Sequence, residues 1–161
     1  MIGADAAGAA DKRLRALGFE LPTPPPPLGA YVEAVQTGDL LFLTGMLATH
    51  GAIPTVVGRL GKDLDTSAGR AAAMTAALNA LSVAKHTLGS LDLVRRVVRL
   101  GVYLATYGDF NDHAKVADGA SELFLAVFGP KKTSARMVFG ISSLPLNVPV
   151  ELDVILEVDT P

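Results

Sequence analysis

Two stretches of the chain carry apolar residues at helical spacing. In AGRAAAMTAALNALSVAKHTLG, Met74, Leu78, Leu81 and Leu88 fall at three- and four-residue steps, with Thr66 or Ser67 available as N-cap and Gly89 as a stop. A second helix begins near Asp109, carries Val116, Ala120, Leu123, Phe124 and Val127 on one stripe, and ends at Gly129, with Gly119 weakening its interior. A short helix from about Asp5 to Leu17, stopped by Gly18, precedes both.

Other stretches alternate with period two. VRRVVRLGVYLA sets Val98, Leu100, Val102 and Leu104 against Arg99, Gly101 and Tyr103. PVELDVILEV sets Val150, Leu152, Val154 and Leu156 against Glu151, Asp153, Ile155 and Glu157. SARMVFG is a further strand region, and YVEAVQTGDLLFLTGML reads as a β-hairpin from Tyr31 to about Gly45 turning at Thr37-Gly38-Asp39. Pro22, Pro24, Pro25, Pro26 and Pro27 make a stiff arm before it, and His50 to Gly61 reads as a loop.

The order is two strands, helix, strand, helix, two strands. That is an α+β fold, a mixed sheet with two main helices packed on one face. A sheet covered on one side by its own helices must hide the other side against something, which points to an oligomer. Composition agrees: 50% of residues are hydrophobic and only 19% charged, a surplus of apolar side chains for a chain of 161 residues. That length suits a single domain over 1–161, with 1–28 as an extension.

The formal net charge is −2 and the fourteen Lys and Arg are dispersed, apart from Arg95, Arg96 and Arg99 and the pair Lys131 and Lys132. Nucleic-acid binding normally needs a basic stripe, so it is disfavoured as a function class. There are no cysteines, which removes disulfides and thiolate chemistry. The N-terminal run is interrupted by Asp5, Asp11, Lys12, Arg13 and Arg15, and no segment has the length of a membrane span, so a cytoplasmic protein is expected.

Arg136 stands among apolar strand residues and needs an acidic neighbour or an anionic ligand to offset its desolvation. A structural ion pair with Glu151 or Asp153 on the adjacent strand is one reading. Bidentate recognition of a ligand carboxylate is the other. Glu151 shares the polar face of the last strand with Asp153 and Glu157, where it is either one of a solvated row or a group that orients or deprotonates water. His50, His86 and His113 lack metal-ligand spacing, and no GxGxxG, P-loop, HExxH or GxSxG arrangement occurs.

The words GAYVEAV, LLFLTGM, GRLGKDL and SARMVFGISSLPLNVPVELDVILEV, with their spacing from about Leu21 to Val158, resemble the RidA (YjgF/YER057c/UK114) family. They are most similar to its longer YjgF-like branch, also labelled endoribonuclease L-PSP/chorismate mutase-like. The resemblance implies a chorismate-mutase-like fold, a homotrimer with clefts between subunits, and an enamine/imine deaminase-type hydrolase acting on a small 2-imino or 2-keto acid without metal or organic cofactor. It implies that Arg136 grips the carboxylate, Glu151 holds the attacking water, and Tyr31, Gly45, Asp118 and Val138 line the cleft. Val32, Met46, Asp118 and Val138 depart from the pattern of the imine deaminases, where serine, glutamine, asparagine and cysteine stand. A non-catalytic protein of the same fold that binds a small carboxylate is therefore the alternative, and the endoribonuclease or translation-inhibitor activity of the older label a third.

Overall fold

In the computed structural model, which describes residues 8–160, the two strongly alternating segments pair with each other at the centre of a sheet. They are β6 (Val94–Ala105) and β8 (Val150–Val158), antiparallel, with Tyr103 opposite Glu151 and Gly101 opposite Asp153. Burial alternates strictly along β8, so its valines and leucines face the core and its acids and Ile155 the other side. The hairpin is β1 (Ala34–Thr37) and β2 (Leu40–Leu43), turning at Gly38 with φ 58°, and β2 continues the sheet on β8. Its paired residues span less than the expected Tyr31 to Gly45. Next comes β3 (Met46–Leu47), which pairs farther along β8.

The segment expected as a plain loop holds a small ladder of its own, β4 (Thr49–His50) against β5 (Ile53–Pro54), closed by Gly51 at φ 59°. At the opposite edge β7 (Ala135–Ile141) lies parallel to β6. The sheet order is thus β1-β2-β8-β6-β7.

Three helices accompany the sheet: α1 (Ala9–Ala16), α2 (Thr66–Leu88) and α3 (His113–Phe128). The expected start of the first at Asp5 lies outside the described residues. Its amino end is satisfied from a distance, because the Asp92 carboxylate accepts hydrogen bonds from the Gly8 and Ala10 N–H groups. The N-cap of α2 is Asp65, which accepts from the Ala68 N–H at 2.8 Å, one residue before the expected Thr66 or Ser67. Thr66 instead donates its hydroxyl to Asp112.

Of the expected stripe on α2, only Leu81 is fully buried; Met74, Leu78 and Leu88 are partly so. The buried surface consists chiefly of Ala72, Ala73, Ala76, Ala77, Ala80 and Ala84. Small side chains bring the helix close to its neighbours, which counting large residues could not reveal. α3 begins four residues later than Asp109, since Gly108 at φ 58° and the Tyr107–Phe110 turn take up that stretch. Its expected stripe is buried throughout.

Gly119 has a packing role that its helix propensity conceals. A Cβ there would fall on the carbonyl of Arg70 in α2, so the two helices cross with backbone against side-chain-free backbone.

The expected alternation on β6 holds from Leu100 onward. Before it, register shifts between Val94 and Arg96 and between Val97 and Arg99 turn Val94 and Val97 inward and leave Val98 36% exposed. Both main helices cover the same sheet face. On the other face lie Phe42, Arg99, Tyr103, Met137, Phe139, Asp153 and Ile155, without any element of the described chain over them. Among the described residues no helix is long and apolar enough to cross a membrane.

Gly119→Ala should lower stability by about 2 kcal/mol or more, the usual size of overpacking against unyielding backbone. Urea unfolding of the variant, with a midpoint shifted down and an unchanged slope, checks it.

Candidate functional site

Strand parity decides where the candidate residues lie. Glu151 opens β8 on the uncovered face, next to Tyr103 on β6 and level with Leu47 on β3. The chain crosses it at Gly45, between β2 and β3. A Cβ on Gly45 would land on Oε1 of Glu151, so only glycine leaves this carboxylate its place. Gly45, Tyr103, Ile141, Leu144, Glu151, Leu152 and Asp153 line a recess open to solvent.

The Glu151 carboxylate makes no hydrogen bond among the described residues. Burial pushes its pKa up, and the neighbouring charge of Asp153 pushes it further the same way. A carboxylate held above its ordinary range and short of donors is a better proton acceptor than a solvated one.

Arg136 lies on β7 with its side chain toward α3, and Val138 follows on the same face. Its partner is neither Glu151 nor Asp153. Since β7 borders β6 and is separated from β8 by it, those acids are out of reach, and Asp118 on α3 accepts from Nη1 at 2.7 Å instead. Ser121, one turn along α3, accepts from the same Nη1 at 3.0 Å. Nε and Nη2 make no hydrogen bond among the described residues, which leaves one edge of the guanidinium fork open. Beside it is a recess lined by Ser121, Phe124, Leu125, Thr133, Ser134 and Arg136. The helical spacing of Asp118 and Ser121 was a signal in the sequence, because residues three apart share a helix face.

Arg136 and Glu151 therefore lie on opposite faces of one sheet. They are two strands apart, about 10 Å across the sheet, and about 10 Å apart along it. The fold does not bring them together within a single chain. It does bring Gly45 against Glu151 and Asp118 and Val138 to the side of Arg136, while Tyr31 lines a separate pocket that shares Gly45. Tyr31 is 47% exposed, its hydroxyl accepting from the Leu28 N–H at 2.8 Å.

The remaining candidates disperse. His50 and His86 are exposed on β4 and α2, and His113 opens α3 with its ring 5.5 Å from that of Phe110. Among the described residues no group of three His, Asp or Glu is placed to hold a metal ion. Arg95, Arg96 and Arg99 each face an acid: Asp159 at 2.9 Å, Glu157 at 3.4 Å and Asp153 at 3.8 Å. These arginines form mixed-charge pairs and not a basic patch.

Comparison with known proteins matches residues 11–157 to the family described as "YjgF/chorismate mutase-like, putative endoribonuclease". Protein TCP17 of Trypanosoma cruzi is 36% identical over 155 residues, 96% of this chain and 97% of that protein. A crystal structure of a protein of unknown function from Agrobacterium tumefaciens superposes with a TM-score of 0.87 at 35% identity, covering 96% of each chain. The 2-iminobutanoate/2-iminopropanoate deaminase of Dermatophagoides farinae is 26% identical over 138 residues, 86% of this chain and 93% of that protein. The chain belongs to the YjgF/chorismate mutase-like family.

Because the Glu151 pKa is raised on folding, the folded state binds this proton more tightly than the unfolded chain. The stability so conferred is complete below the ordinary carboxylate range and lost as pH rises through the raised value. Glu151→Gln should then unfold at a higher temperature than the native protein at pH about 8, with the difference gone near pH 4. Paired thermal melts across that range test it.

Proposed function

We propose that this YjgF/chorismate mutase-like protein is an imine deaminase-type hydrolase, working on small 2-imino acids in clefts between the protomers of a homotrimer. The observation that carries the reading is the pairing of deficits. One chain holds a guanidinium with an open edge on one sheet face and a carboxylate without donors on the other, and the second face is uncovered. A neighbouring copy laid on that face supplies each with its counterpart. Met137 and Phe139 at the uncovered edge, 47% and 42% exposed, give such a contact its apolar component.

In the proposed cleft the Nε and Nη2 edge of Arg136 takes the ligand carboxylate as a bidentate pair. That fixes the C=N carbon beside Glu151 of the other protomer. Water adds to this carbon, Glu151 accepts the proton the water loses, and the nitrogen is protonated in turn. Collapse of the carbinolamine breaks the C–N bond, releasing ammonia and a 2-oxo acid. The carbon is already electrophilic, so positioning supplies most of what is needed. The identity of the mite deaminase supports this chemistry at a distance.

A second reading is favoured by the contact of Asp118 with Arg136. A negative charge already on the guanidinium weakens its pull on a monocarboxylate, which suits a binding protein that holds a metabolite without turning it over. An endoribonuclease activity draws no support from Arg95, Arg96 and Arg99, whose charges are offset by acids.

Arg136→Ala should abolish ammonia release from 2-imino acids generated by an amino-acid oxidase, while light scattering still finds the trimer. Co-refolding Arg136→Ala with Glu151→Gln in equal amounts should restore about a quarter of native activity, because that share of clefts in a closed ring receives both intact groups. No recovery would defeat the shared cleft. Asp118→Asn should tighten binding of a 2-oxo acid by about three- to tenfold, measured by calorimetry, since it removes a competing charge.

A further inference from the structure

Asn79 interrupts the buried alanine face of α2 and is only 1% exposed. Burying an amide among methyl groups costs free energy unless its hydrogens find acceptors. They do so in the chain that follows Gly45: Nδ2 donates to the carbonyls of Leu47 and Thr49, each at 2.9 Å. Ala48 makes a bend between these two residues, and its own carbonyl accepts from the N–H and the hydroxyl of Thr55, just past β5. Three successive carbonyls are thus fixed, two of them by a single side chain with two hydrogens to give.

That anchorage bears on the Glu151 carboxylate. Leu47 is the partner of Glu151 in the β3–β8 ladder, and Gly45, two residues earlier, lies so close over the carboxylate that a Cβ would meet Oε1. Met46, between them, is buried. With only two paired residues, β3 is too short to hold such a close approach by its ladder alone. Asn79 ties the same segment to α2, the longest helix of the fold.

We propose that Asn79 is a positioning residue for Glu151: by tying Leu47 and Thr49 to α2 it keeps Gly45 pressed over the carboxylate and keeps water from that side of it. The inference rests on the reading of Glu151 as the proton acceptor, and extends it to a residue that makes no hydrogen bond to that carboxylate. Burial is the main cause of the raised Glu151 pKa, so the amide that maintains the burial also maintains the affinity for the proton.

The test is the titration of the Glu151 carboxyl carbon by NMR in the ligand-free protein, the resonance being assigned by its loss in Glu151→Gln. In Asn79→Leu, which nearly keeps the volume and removes both donors, the midpoint should move down toward that of an ordinary carboxylate. Ammonia release should fall about ten- to hundredfold in kcat, while affinity for a 2-oxo acid held by Arg136 changes by less than about twofold. Asp92→Ala is the control: it takes the acceptor from the amino end of α1, beyond the opposite end of β6 from Tyr103, and so destabilises the fold without loosening β3. Should Asn79→Leu fail to fold, Asn79→Ser carries the same test, its hydroxyl having one hydrogen and not two. An unmoved midpoint in a folded variant, or an equal movement in Asp92→Ala, overturns the positioning role. A midpoint that moves as expected while the native protein releases no ammonia from any 2-imino acid upholds the positioning role and overturns the hydrolase.

Discussion

The two-residue period of the central strands is the constraint from which the remaining structure follows. Once α2 and α3 claim one face of the sheet, every odd member of β8 from Glu151 is committed to the other, together with Tyr103 on β6 and Phe139 on β7. Register then sets Glu151 level with Tyr103 and Phe139, whose rings stack at 6.0 Å. A slip of one residue in β8 would bury three carboxylates, those of Glu151, Asp153 and Glu157, against the helices. The same rule assigns Arg136 to the helix side, so the separation of the two candidate groups is a property of the sheet and not of a mobile side chain.

Much of this was legible in the sequence where pattern is strong. The strict alternation of Val150 to Val158 and the stripe from Val116 to Val127 specified a strand and a helix with correct faces. The α+β order followed from them. Other features were hidden because their cause is not periodic. Register shifts around Val97 turned Val98 outward, and alanines rather than leucines made the buried face of α2. Gly119 reads as a defect in a helix until the Arg70 carbonyl is seen against it.

The candidate site could be proposed from the sequence by residue and not by arrangement. Arg136 and Glu151 stood out as a cation and an acid in strands, but ARMVFGI lacks the alternation that would have told which face the arginine takes. Its partner was misplaced for the same reason: β7 runs beside β6, and the acid within reach comes from α3. Asp118 fixes the guanidinium by one end, because it holds Nη1 and leaves the other edge accessible.

The hydroxyl of Ser82 reaches the carbonyl of Pro22 across sixty positions of chain. That bond fastens the start of the proline arm to a helix packed on the sheet, so the wall that Pro25, Pro26 and Pro27 make beside Gly45 is anchored through α2. A displacement of α2 at Ser82 would therefore be felt at Gly45, far along the chain from either end of that bond.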